Sequence, residues 1–270
     1  MLALKKVTKS YGSVKVLTAA SLAVAPKDCV CIVGDGGSGK STILKLLVRM
    51  EDPTSGTVEV DGIPLEKVPP PILQLYRRRL GIAFQEPALL QQATVEENIA
   101  LPLELFGAPQ NITQRTVTDL LQRLLLTSCA KRTAETLSMS ERVLTGIARA
   151  AVASPMIMLV DEPLQHLDAK QGKAVTDLFS AMHKRGTTLI LFSRTEETAR
   201  AFGARIITLQ KGTTSSGSLE QSSAHAHTTH RILEETEGKV HSVLDTKPVQ
   251  KVGVPKNDKK IRITSIGSGL

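Results

Sequence analysis

The chain has 270 residues, 41% hydrophobic and 22% charged, with a formal net charge of +8 and three cysteines. At this length roughly three quarters of the unfolded surface can be buried, so neither a disulfide framework nor a structural metal is required. An aromatic content of 3% with no Trp argues against the stacking platforms that read single-stranded nucleic acids and sugars, so nucleic acid is not expected as a partner; the positive charge by itself selects none. Residues 1–7 carry early lysines and lack the apolar core of a secretory signal, and no apolar run approaches the ~18 residues of a membrane span. The expectation is a cytoplasmic protein whose membrane role comes through a partner.

In chain order, segments 2–7 and 16–24 alternate polar and apolar residues, as a half-exposed antiparallel sheet does. Segment 29–33 is continuously apolar and reads as a buried parallel strand, with Cys29 and Cys31 on one face as small core hydrophobes. A helix is expected at 41–50, strands at 57–60 and 81–84, and helices at 94–101 and 112–125. In the last of these Val117, Leu120, Leu121, Leu124 and Leu125 recur at helical spacing. A helix at 140–153, a strand at 156–160, a helix at 170–184, a strand at 187–192, a helix at 196–201 and a strand at 205–209 complete the pattern. This alternation is the order of an α/β layer fold. After Gly212 the composition turns Ser/Thr/Gly-rich and then Lys-rich, and four of the six His lie beyond position 224. Residues 213–270 therefore read as a weakly ordered C-terminal extension, with a short helix at 230–237 and a strand at 260–265 as its candidate elements. His225, His227 and His230 have spacing that could grip a metal, but without nearby Cys or paired acids they read as a solvated tract.

Gly34-Asp35-Gly36-Gly37-Ser38-Gly39-Lys40-Ser41-Thr42 contains the pattern G-x-x-x-x-G-K-[ST] between an expected strand and an expected helix, the context that a phosphate loop needs. Its glycines let successive N–H groups converge on phosphate oxygens at a helix N-terminus. Lys40 is expected to reach the terminal phosphates, and the Ser41 hydroxyl to ligate Mg²⁺. Some way downstream, the apolar run Ile157-Met158-Leu159-Val160 ends in Asp161-Glu162. On a strand adjacent to the phosphate loop, Asp161 would stand near the Mg²⁺ and Glu162 near the γ-phosphate, where it can polarise an attacking water as general base.

Together these segments resemble the ATP-binding-cassette (ABC) ATPases, over residues 1 to about 212. The resemblance implies an α/β P-loop NTPase fold with a mainly parallel core sheet, an N-terminal antiparallel β subdomain and a helical subdomain at about 86–150 carrying the signature. It puts Tyr11 where the family stacks an aromatic on adenine, and makes Gln85 the glutamine that touches Mg²⁺ and couples the site to a partner. Leu167-Asp168 matches the D-loop, and Gly146-Ile147-Ala148-Arg149-Ala150 the helix that follows the signature. Within the family, Arg77-Arg78-Arg79-Leu80-Gly81-Ile82 and Thr94-Val95-Glu96-Glu97-Asn98-Ile99-Ala100-Leu101-Pro102-Leu103 are similar to cell-division ATPases of the FtsE type and to ATPases of lipoprotein and macrolide exporters. The arginine triplet itself reads equally as a partner contact or a solvated basic face. The implied working form is a homo- or heterodimer using ATP and Mg²⁺, held on the cytoplasmic face of the inner or plasma membrane by an integral membrane partner, an FtsX-like protein or a permease. The alternative is an ATP-gated scaffold with little or no turnover.

Two positions depart from the family pattern. The signature reads Leu137-Ser138-Met139-Ser140-Glu141, where the family has two glycines between Ser and Gln or Glu. Ser138 keeps the hydroxyl, whereas Met139 adds bulk where the backbone is meant to approach a phosphate closely. At the switch position the family has His, and this chain has Arg194. Arg stays protonated; it either places positive charge on the γ-phosphate, as an arginine finger does, or points to solvent. His166 lies close in sequence but at a different strand–loop position.

Overall fold

The computed structural model describes residues 1–216. The expected elements at 230–237 and 260–265, the histidines at 225, 227 and 230, and all but the first four residues of the expected extension lie outside the described residues.

Strands β1 (Leu2–Tyr11) and β2 (Val14–Val24) pair antiparallel, with Leu2 opposite Val24 and Leu4 opposite Leu22. The register shifts between Leu4 and Val7, where Lys6 and Ala19 take positive φ of 50° and 49°. Such irregularities bend and twist a strand pair. β4 (Ser55–Val60) and the short β5 (Ile63–Pro64) join them in a four-stranded sheet ordered β2-β1-β4-β5. This is the antiparallel subdomain that the alternating N-terminal segments led us to expect.

The second sheet has six strands, β3 (Cys29–Val33), β6 (Leu80–Ala83), β7 (Ile157–Asp161), β8 (Thr188–Ser193), β9 (Arg205–Gln210) and β10 (Thr213–Ser216), in the order β10-β9-β3-β8-β7-β6. All neighbours are parallel except β9 and β10. Val30, Cys31, Ile32, Leu159, Ile190, Leu191 and Phe192 are buried in it; fully burying a side chain of this size contributes about 1.5–3 kcal/mol. The cysteines are core residues, and burial pushes the Cys31 thiol up to about 12. β10 carries the sheet four residues beyond the change of composition at Gly212.

Helices α1 (Lys40–Leu47), α6 (Ala169–Lys184) and α7 (Glu196–Phe202) follow β3, β7 and β8. Between β6 and β7 lie α3 (Val95–Leu105), α4 (Gln110–Arg123) and α5 (Met139–Ala151), a helical layer packed through Val95, Ile99, Val117, Leu121, Leu144 and Ile147.

Helix α2 (Pro70–Arg78) is absent from the pattern read off the sequence. Three consecutive prolines look like a breaker, yet Pro is tolerated in a first turn, where the missing N–H has no intrahelical partner. The helix also changes the reading of the arginine triplet. Arg77 Nε and Nη2 donate to the carbonyls of Val48 and Arg49 at 3.1 and 2.6 Å, and Tyr76 Oη to that of Leu47 at 2.7 Å. Arg77 is thus not a free solvated charge: with Tyr76 it satisfies carbonyls at the C-terminal end of α1, where a cation also complements the helix dipole.

Candidate active site

β3, β8, β7 and β6 are parallel neighbours. Their carboxyl ends therefore deliver the phosphate loop, Ser193 and Arg194, Asp161 and Glu162, and Gln85 to one edge of the sheet. Ligands of open α/β sheets bind at that edge. β8 lies between β7 and β3, the strand that feeds the phosphate loop. The link is made by α1, whose first turn brings Ser41 Oγ to 2.9 Å from Asp161 Oδ2, as donor to that carboxylate.

Two loop positions admit only glycine. Gly39, the residue before α1, has φ of 107°, and a Cβ there would meet Leu17 Cδ2 at 2.7 Å. A Cβ on Gly34 would stand 2.4 Å from the Leu209 carbonyl oxygen. Lys40 is buried, and its ammonium donates to the Gly34 and Asp35 carbonyls at 2.5 and 3.0 Å, leaving its third hydrogen for another acceptor. Burial pulls the Lys40 pKa down, against the opposing pull of Glu162 and Asp161. Among the described residues only three buried side-chain polar atoms lack a hydrogen-bond partner; two of them, Ser38 Oγ and Glu162 Oε1, belong to this edge. Orphaned buried polar atoms cost free energy and concentrate where a ligand or water completes the site.

Glu162 sits just past β7 in the left-handed region, φ 51°. That conformation is unfavourable for a residue with a side chain and recurs at functional sites. It is fixed by the Glu162 N–H donating to the Phe192 carbonyl at 2.9 Å. Its Oε2 lies 3.4 Å from Ser193 Oγ, which is 2.8 Å from Thr198 Oγ1. Its Oε1 lies 3.6 Å from Arg194 Nε, an ion contact too long for a hydrogen bond. Burial raises the pKa of Glu162, opposed chiefly by Lys40. Burial likewise raises that of Asp161, against the Ser41 hydrogen bond. A carboxylate of raised pKa is the stronger base. The donor set for Mg²⁺ would be the Ser41 hydroxyl, the Asp161 carboxylate and the Gln85 carbonyl oxygen, all hard oxygens of the kind that ion takes.

Gln85 is not joined to Asp161 or Ser41 by a hydrogen bond. Its Nε2 donates instead to Gln165 Oε1 at 2.8 Å. Sequence reasoning passed over Gln165, Ser193 and Thr198; nothing in their local patterns marks them. Tyr11 ends β1 and is 42% exposed, with Lys9 Nζ 5.0 Å from its ring centroid and its hydroxyl on Glu51. Glu51 also pairs with Lys45 of α1 at 3.2 Å, so the ring is tied through Glu51 to the phosphate-loop helix. The other motifs act as helix caps within this chain. Asp168 caps α6, accepting from the Gln171 N–H at 2.8 Å, while Leu167 is part-buried beside it. Ser138 caps α5 reciprocally with Glu141, whose carboxylate accepts from the Ser138 N–H at 2.7 Å and from Arg132 Nη1 at 2.9 Å. Met139 follows, 46% exposed, and Ser140 Oγ lies 3.3 Å from Ser138 Oγ. Among the described residues no hydrogen bond or ion pair joins the signature to the phosphate loop. His166 is exposed in the loop after Glu162, at φ of 64°.

Residues 17–165 match the protein family described as ABC transporter. The cell division ATP-binding protein FtsE of Bacillus subtilis (strain 168) is 31% identical over 213 residues, spanning 78% of this chain and 93% of that protein. The methionine import ATP-binding protein MetN of Caulobacter vibrioides is 31% identical over 246 residues, spanning 89% of this chain and 74% of that one. Among solved structures, a dimeric post-hydrolysis state of an ATP-binding cassette bound to ADP and Pi superposes with a TM-score of 0.75 at 29% identity, covering 82% of this chain and 100% of that chain.

Proposed function

The chain belongs to the ABC transporter family of ATPases, and on that premise we propose that it is an FtsE-like subunit whose Glu162 is the general base and whose stroke acts on an integral membrane partner. It binds and hydrolyses ATP. Four chain groups divide the work. Phosphates are received by the loop at 34–42 and the α1 N-terminus, where N–H groups and the helix dipole favour an anion. The third N–H of Lys40 goes to the terminal phosphates. Glu162 Oε1, buried and without a hydrogen-bond partner, takes the proton of the attacking water. Arg194, in ion contact with that oxygen at 3.6 Å, sets positive charge against the charge that builds on the γ-phosphate. Ser41, Asp161 and Gln85 would hold Mg²⁺, which would supply positive charge against that developing on the phosphates. Tyr11 offers an exposed ring for adenine.

The observation that carries this reading is the Ser41–Asp161 hydrogen bond beside a Glu162 oxygen that has no hydrogen-bond partner. It joins the phosphate-loop helix to the acid pair through residues 120 positions apart. Among the described residues no helix is long and apolar enough to cross a membrane, and the membrane partner is proposed on the likeness to FtsE and MetN. Crosslinking in source membranes tests it. Recovery of a four-helix membrane protein with a large extracytoplasmic domain supports the division reading, and recovery of a solute importer contradicts it.

A second reading, an ATP-gated scaffold with little or no turnover, is favoured by Met139 in the signature. Steady phosphate release that is lost in Lys40→Ala supports the enzyme. ATP-dependent dimerisation with no turnover supports the scaffold.

A further inference from the structure

We propose that Gln165 is a positioning residue that orients the Gln85 side-chain amide, so that its carbonyl oxygen is presented to the metal; this rests on the metal-ligand reading of Gln85 given above. A glutamine amide has one accepting and one donating end, and only the accepting end can hold a cation. Gln165 Oε1 can do nothing but accept, and it takes the hydrogen from Gln85 Nε2 at 2.8 Å. That bond commits the donating end of Gln85 to Gln165 and leaves its oxygen free.

The loop that carries Gln165 is itself fixed. Gln165 N–H donates to the Glu162 carbonyl at 3.1 Å, and the two positive-φ residues Glu162 and His166 bracket the segment. β6 and β7 are paired up to Ala83 and Val160, so Gln85 and Glu162 each stand two residues beyond the paired ends. The amide pair therefore ties the residue beside the metal site to the loop that leads from the catalytic carboxylate to Asp168, the cap of α6. Groups that orient a metal ligand from behind shift metal affinity when removed, typically by 10–100-fold.

The test is Mn²⁺ binding to the full-length protein loaded with a non-hydrolysable ATP analogue, read from the electron paramagnetic resonance signal of free Mn²⁺. Gln165→Leu is expected to weaken Mn²⁺ binding roughly tenfold without changing metal-free nucleotide affinity. Gln165→Glu, whose carboxylate also accepts from Gln85 Nε2, is expected to retain it. Gln165→Ala replaces the leucine variant should that one not fold. Wild-type Mn²⁺ affinity in Gln165→Leu, or a loss in Gln165→Glu equal to that in Gln165→Leu, would overturn the proposal. Gln85→Ala separates the two layers. If it weakens Mn²⁺ binding while Gln165→Leu does not, the positioning role alone fails. If it has no effect, the metal reading of Gln85 fails as well.

Discussion

Glu162 shows how one side chain serves chemistry at a cost to the fold. Burial raises its pKa above the usual 4.5, so the native state holds its proton more tightly than the unfolded chain does. The sign follows from linkage: relative to a non-titrating residue, native stability is greatest below pH 4.5 and declines as pH rises through the raised folded value. Glu162→Gln should therefore melt higher than wild type at pH 7–8, by roughly 2–4 °C for each kcal/mol that the buried carboxylate costs. The difference should shrink as pH falls towards 4.5, which calorimetry across that range checks. Catalysis runs the opposite way, since a base must be ionised, and kcat should fall with acid through the same window. Arg194 belongs to this scale too. It is exposed and in ion contact with Glu162, and Arg194→Ala should lower kcat at least tenfold while changing nucleotide affinity little; unchanged kcat would return it to solvent.

At the scale of elements, the cap of α1 by α2 makes a prediction of its own. Arg77→Ala removes two hydrogen bonds to α1-terminal carbonyls at about 1 kcal/mol each. Tm should fall by roughly 4–8 °C with hydrolysis per folded molecule retained. The α5 cap is the second case. Ser138→Ala removes the hydroxyl that accepts from the Glu141 N–H, leaves the backbone N–H bond to the Glu141 carboxylate in place, and should cost about 1 kcal/mol of stability, apart from any loss of activity. How legible such features are depends on how local their cause is. β3 is read from five consecutive apolar residues, and the phosphate loop from its glycines and flanking elements. Helix α2 is missed because prolines at a first turn look like a break until the chain following them is seen to cap α1. Gln165 is missed because its meaning lies in a contact 80 positions away in sequence. The order of β8 between β3 and β7 is a tertiary fact for the same reason: two buried apolar strands carry no mark of which lies nearer.

For the whole molecule, the six-stranded sheet gathers four motifs on one edge, while the signature stands at the start of α5 with Ser138 and Arg132 each bonded to Glu141. In the proposed dimer the signature meets the nucleotide of the other subunit, and Met139 is the residue that departs from the family pattern there. Met139→Gly should strengthen ATP-dependent dimerisation of the hydrolysis-deficient protein, measured by sedimentation. It should also cost α5 about 0.5–1 kcal/mol in helix propensity. The central claim is that Glu162 activates the water that cleaves ATP. Its most direct test is steady-state phosphate release by the full-length protein with Mg-ATP, comparing wild type with Glu162→Gln. The account predicts measurable wild-type turnover and a loss of at least a hundredfold in the variant, with ATP binding intact. Equal turnover in the two proteins would contradict it.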